Sequence, residues 1–177
     1  MPAGAPHRPV IARFERLVDR LARLAAWLFF AIGVMITYEV VARYVFNAPT
    51  IWAFDLSRLV QIWATWLAAA HLLRSRQLIA VGLLYGRLGP RAERAAAAVT
   101  LAVIALVAGT GLVWGLEIVA ESLRFGRKTA TMLDLPLWAT EIAVPAGCLL
   151  LLLQVAVEAV RLARDPDHRL RFARDAD

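Results

Sequence analysis

The sequence predicts an all-α integral membrane protein with four transmembrane helices, additional amphipathic interfacial helices, and both termini in the cytoplasm. Three observations lead there. Of the 177 residues, 60% are hydrophobic and 19% charged, with a mean hydropathy of +0.62, more apolar surface than a soluble domain of this length needs to bury. The apolar residues gather into four runs, 24–44, 52–73, 95–118 and 137–162, each long enough for a helix to cross a hydrocarbon core ~30 Å thick. Most of the arginines lie between the runs, and they fall unevenly on the two sides.

Taken in order, residues 10–23 precede the first span. Val10, Phe14, Leu17, Val18 and Leu21 recur at helical spacing, with Arg13, Arg16, Arg20 and Arg23 largely between them, which is the pattern of an amphipathic helix lying in the headgroup interface. The run 24–44 follows a long charged flank, exceeds the apolar core of a signal peptide and is followed by no cleavage site, so it is expected to be retained. The span 52–73 leads into a loop where Leu78, Val81, Leu84, Tyr85 and Leu88 share a helix face. Residues 78–88 are therefore predicted as a second interfacial helix, stopped by Gly89 and Pro90. In 95–118, Ala98, Ala102 and Ala105, then Gly111 and Gly115, recur at spacings that let helix backbones approach. In 137–162, Pro145 has no N–H to give the Glu141 carbonyl, which predicts a kink. After Asp165 and Pro166, residues 165–177 turn polar and read as a cytoplasmic tail, a short helix or disordered. There is no internal repeat or low-complexity linker, so 1–177 is read as one membrane domain.

Orientation follows from the basic residues of the short loops. Arg8, Arg13, Arg16, Arg20, Arg23, Arg74, Arg76, Arg87, Arg91, Arg94, Arg161, Arg164, Arg169, Arg171 and Arg174 fall on one side, fifteen in all, against five on the other: Arg43, Arg58, Arg124, Arg127 and Lys128. That bias puts both termini inside. The formal net charge of +6 thus brackets apolar segments and points to lipid headgroups, with no nucleic acid as partner. The single cysteine, Cys148, lies in an apolar run and by itself supports neither a disulfide framework nor a cysteine metal site.

An ionisable side chain within the bilayer calls for a partner or a purpose. Glu39 and Arg43, four residues apart near one end of the first span, form a structural pair by spacing or, alternatively, touch another subunit. The second span has two unlike faces: Trp52, Leu56, Leu59, Trp63 and Trp66 share one stripe, while Asp55, Arg58, Gln61, Thr65 and Ala69 cluster away from it. The polar face should meet protein, with Asp55 and Arg58 neutralising each other. The aromatic stripe should meet lipid or fill a groove on a partner; Trp52 is an ordinary interfacial tryptophan, while Trp63 and Trp66 lie deeper and read as packing anchors. Glu117, Glu121 and Arg124 form a second ladder, and Gln154, Glu158 and Arg161 a third. His71 is the only histidine near a span, which argues against bis-histidine haem ligation. No nucleophile with its base, metal-ligand cluster or phosphate-binding glycine loop occurs, so neither an enzyme nor a cofactor is expected.

The run Arg43-Tyr44-Val45-Phe46-Asn47-Ala48-Pro49, with Trp52, Asp55, Leu56 and Arg58 after it, resembles the small permease subunit, DctQ type, of tripartite ATP-independent periplasmic (TRAP) transporters. The resemblance continues through Trp63, Ala68 to Ala70 and Arg74, then Thr131-Met132-Leu133-Asp134-Leu135-Pro136-Leu137-Trp138 with Pro145 and Gly147, and covers roughly residues 14 to 162. The chain departs from the family at Asp55, where Glu is common, and at Gln77 or Leu78 and Gly82, where His and Asp are frequent. The resemblance implies a secondary transporter of the bacterial inner membrane with two other parts: a periplasmic substrate-binding protein and a large twelve-helix permease subunit of the DctM type. The large subunit would hold the organic-acid and sodium sites and move its transport domain, while the small one braces the scaffold. On that reading Trp52, Asp55, Arg58, Leu59, Trp63 and Trp66 are the candidate partner interface, Glu39 and Arg43 a structural pair, and Asn47, Pro49, Asp134, Pro136 and Trp138 candidate contacts to the binding protein.

Two rival readings come from other classes. A self-sufficient four-helix homo-oligomeric exporter would use Glu39 as its proton carrier, but Arg43 compensates that carboxylate and it lies toward a helix end. A quinone- or haem-binding anchor of a redox enzyme lacks a second histidine.

Overall fold

The computed structural model describes residues 9–75, 90–131 and 133–164. These form five helices: α1 (Pro9–Tyr44), α2 (Ala53–Arg74), α3 (Pro90–Phe125), the single turn α4 (Trp138–Glu141) and α5 (Ala143–Arg164). The chain is all-helical, with no strand among the described residues and a lone antiparallel bridge between Lys128 and Pro136. The predicted 78–88 helix and the 165–177 tail lie outside the described residues.

Three stretches are long and apolar enough to cross a membrane: Ile11–Tyr44, Arg94–Phe125 and Trp138–Ala163. The 22 residues of α2 make a helix of ~33 Å, long enough for the same task. Asp55, Arg58, Gln61, His71 and Arg74, however, leave it less apolar than the other three.

Sequence reading separates an interfacial helix, 10–23, from a span, 24–44; the structure carries both in one helix. No residue between Ile11 and Ile32 is Gly or Pro, so the change from amphipathic to wholly apolar is one of composition and brings no break. Pro9 stands at the first helical position, where a missing N–H does no harm. With 36 residues each, α1 and α3 run ~54 Å, beyond the ~40–45 Å of a bilayer with its headgroups.

The helices pack in a row in the order α1, α2, α5, α3, with α4 wedged against α2, α3 and α5. Small side chains make the contacts: Ala25 and Ala42 of α1, Ala53, Ala64 and Ala70 of α2, Ala97 and Ala108 of α3, and Ala143 and Cys148 of α5 are buried. In lipid, close backbone approach replaces the hydrophobic drive, and three glycines mark where it is closest. A Cβ on Gly111 would lie 2.9 Å from Cys148 Sγ, one on Gly115 3.1 Å from Pro145 Cδ, and one on Gly147 2.5 Å from Trp66 Cβ. Gly111 and Gly115 thus act as their spacing predicts. The interruption between α4 and α5 falls at Ile142, next to Glu141 and one turn before Pro145, where the proline withholds its hydrogen bond as anticipated.

Candidate partner-binding surface

One end of the row, here the Asn47 end, carries the loops after α1 and α3; the other, the Arg74 end, carries the start of α1 and the ends of α2 and α5. At the Asn47 end, α1 stops in a left-handed residue, Asn47 (φ 50°), a conformation asparagine tolerates better than most residues, and Pro49 follows. Glu39 then holds the loop. One carboxylate oxygen accepts from Arg43 Nε at 3.1 Å, and the other accepts from the Thr50 backbone N–H at 3.0 Å and from the Thr50 hydroxyl. The expected Glu39–Arg43 pair is present, and Thr50 joins it. Tyr38 stacks on Trp52 with ring centroids 6.2 Å apart, which closes the loop over the end of α1.

The loop after α3 turns at Gly126 (φ 57°) and at Asp134 (φ 48°). The Thr129 N–H donates to Leu135 O at 2.8 Å and the Leu137 N–H to Arg127 O at 3.0 Å, while Thr129 Oγ1 accepts from the Leu135 N–H at 3.0 Å. This presents Asp134, exposed, and Trp138, 40% exposed, at the same end as Asn47 and Pro49. The expected Glu121–Arg124 pairing does not form: Glu121 takes Arg127 at 3.0 Å, because the turn at Gly126 folds Arg127 back onto the helix that Arg124 extends.

Along α2 neither expected face is uniform: Trp52 and Leu56 are exposed while Leu59, Trp63 and Trp66 are half-buried, and on the polar side Asp55 is buried and Ala69 half-buried while Arg58, Gln61 and Thr65 are exposed. Trp63 Nε1 donates to Ala139 O at 2.9 Å, and Trp66 lies against Gly147, so these two half-buried tryptophans seat α2 on α4 and α5. Leu59 is half-buried beside them. Asp55 is 8% exposed with Oδ2 unpartnered among the described residues. The expected Asp55–Arg58 neutralisation is absent, since Arg58 is exposed and forms no ion pair with a described residue. The open side of α2 is a line of exposed residues, Phe54, Arg58, Gln61, Thr65 and Leu72, spaced three, four or seven apart and therefore on one helix face. By contrast, Trp27, Phe30, Val34, Tyr38 and Val41 on α1 and Leu106, Val107, Val113 and Trp114 on α3 form exposed faces that are almost wholly apolar.

The Arg74 end holds an ion-pair network that sequence reasoning did not find. Glu15 of α1 bonds Arg161 of α5 and lies 3.8 Å from Arg74 of α2; Asp19, one turn on, pairs with Arg74 and sits 3.2 Å from His71 Nδ1. Arg161 also reaches Glu158 at 3.3 Å, and Gln154 donates to Glu158 at 3.4 Å, the ladder expected along α5. The available signal was that Glu15 and Asp19 are the only acids among the arginines of residues 8–23, four apart on one face. Among the described residues no group of three His, Cys, Asp or Glu could hold a metal ion.

Side-by-side apolar helices joined through alanine and glycine define a multi-pass membrane protein. The sequence matches, over residues 32–165, the family described as tripartite ATP-independent periplasmic transporters, DctQ component. The match spans more than half of the chain, which therefore belongs to that family. No curated protein matches it. The chain is thus the small permease component of a TRAP transporter, from a family of transporter components and not of enzymes.

Proposed function

We propose that this chain is the scaffold subunit of a TRAP-type secondary transporter in the bacterial inner membrane. It crosses four times with both termini cytoplasmic and braces a large twelve-helix permease subunit of the DctM type. That partner takes up an organic acid with sodium, and a periplasmic binding protein delivers the acid. The observation that carries the bracing role is how the middle of the row is filled: Gly111 on Cys148, Gly115 on Pro145 and Gly147 on Trp66 bring α3, α5 and α2 into backbone-close contact, a construction suited to rigidity. The role of α2 as fourth span is supported by its length and its place between α1 and α5. Span two, which carries the candidate residues Trp52, Asp55, Arg58, Leu59, Trp63 and Trp66, is the element that locks onto the large subunit, and it does so by its outward side, since Trp63 and Trp66 are engaged within the chain. The Asn47 end, with Pro49, Asp134, Pro136 and Trp138, faces the periplasm and receives the binding protein. Glu39, already engaged by Arg43 and Thr50, is poorly placed to carry protons in an exporter.

The test is reconstitution. Proteoliposomes holding both membrane components, supplied with the binding protein and its acid, should accumulate the acid only under an inward sodium gradient, and omission of this chain should abolish uptake. Transport by this chain alone, as a stable homo-oligomer, would reject the scaffold role.

A further inference from the structure

The two faces of α2 are not equally available. Trp63 and Trp66 are turned onto α4 and α5 within the chain, and α1 and α5 cover the flanks of α2. Apart from Leu56, what remains open is the line Phe54, Arg58, Gln61, Thr65 and Leu72. Lipid chains satisfy the apolar outward faces of α1 and α3, but they offer nothing to a guanidinium or an amide. Within the line the Thr65 hydroxyl is answered by Gln61 O at 2.8 Å. No described residue answers the Arg58 guanidinium or the Gln61 side-chain amide, and Asp55 does not neutralise Arg58.

Resting on the scaffold reading, we infer that one helix of the large membrane subunit lies along this line, sets a carboxylate against Arg58 and a hydrogen-bonding side chain against Gln61. Charge complementarity identifies the occupant, since an exposed guanidinium fork with no partner among the described residues of its own chain selects a carboxylate in bidentate geometry. Ala68 and Ala69, half-buried at the edge of the line, let the incoming helix approach closely.

The experiment uses the whole transporter in native membranes, with a photo-crosslinking phenylalanine analogue placed singly at Gln61, at Val34 on α1 or at Leu106 on α3. Crosslinking to the large subunit from Gln61, and to lipid from Val34 and Leu106, is the expected result. Arg58→Glu should lower co-purification of the large subunit by about tenfold or more, and Arg in place of the opposing acid on the crosslinked helix should restore it. Crosslinking from Gln61 to lipid alone overturns the inference. So does crosslinking to the large subunit from Val34 or Leu106 in its place, an outcome that leaves the scaffold reading standing. If no large subunit crosslinks from any position or co-purifies, both fall.

Discussion

Gly147 and Trp66 are spaced for close contact in a way that tolerates no added atom, because a Cβ at Gly147 would stand 2.5 Å from Trp66 Cβ and 2.6 Å from Trp66 Cε3. Gly147→Ala should therefore destabilise the chain by about 1–3 kcal/mol through overpacking, read as a lower thermal midpoint in detergent. Trp66→Ala in the same chain should recover part of that loss, and an alanine variant as stable as the parent would contradict the contact. Glu39 poses a different question, as its two oxygens serve Arg43 and Thr50. In Glu39→Gln the loop from 45 to 52 should be nicked faster by protease, while sodium-driven uptake by the assembled transporter persists; loss of transport with an intact loop would favour the proton-carrier reading. Thr50 and Arg127 were missed as partners because both are brought to their carboxylates by turns at Asn47 and Gly126, and turn geometry is not visible in side-chain spacing along a helix.

Among the elements, α1 shows how a charged segment can be structural. Its first turns lie against α2 and α5 through Glu15 and Asp19, so the segment expected to lie flat on the membrane is tied to the bundle's own arginines. Glu15 serves both Arg74 and Arg161, whose side chains are 27% and 31% exposed, shielded enough for charge-assisted bonds to count. Glu15→Gln should weaken this end by about 1–2 kcal/mol, seen as faster hydrogen exchange in the first turns of α1 with the Asn47 end unchanged. Uniform exchange throughout α1 would show that the network does not anchor it. The gathered residues come from positions 15, 19, 71, 74, 158 and 161, and only the α5 members were legible beforehand, being three and four apart in one helix.

For the whole molecule, an open row of helices with α1 and α3 at its edges leaves long apolar flanks and two ends that can be addressed separately. Cys148 is buried beside Gly111, so the parent chain should resist a membrane-impermeant thiol reagent and serve as a blank. Ser75 and Ala130 are exposed at opposite ends. Ser75→Cys should label only in inside-out vesicles, and Ala130→Cys only in right-side-out cells. Labelling of both from the same side would remove α2 as a crossing and overturn the proposed topology.

All-helical architecture, three of the apolar spans, the close-packing glycines of α3, the break ahead of Pro145 and the family were determined by sequence alone, because each depends on composition or on spacing within a single helix. Tertiary structure decided that α1 is one continuous helix reaching across to Arg74 and Arg161, that Trp63 and Trp66 turn inward, and that Arg58 and Gln61 are left facing out. Helical periodicity can divide α2 into an aromatic and a polar face; which of them is covered depends on the helices that settle against it, and those are contributed by residues some tens of positions away.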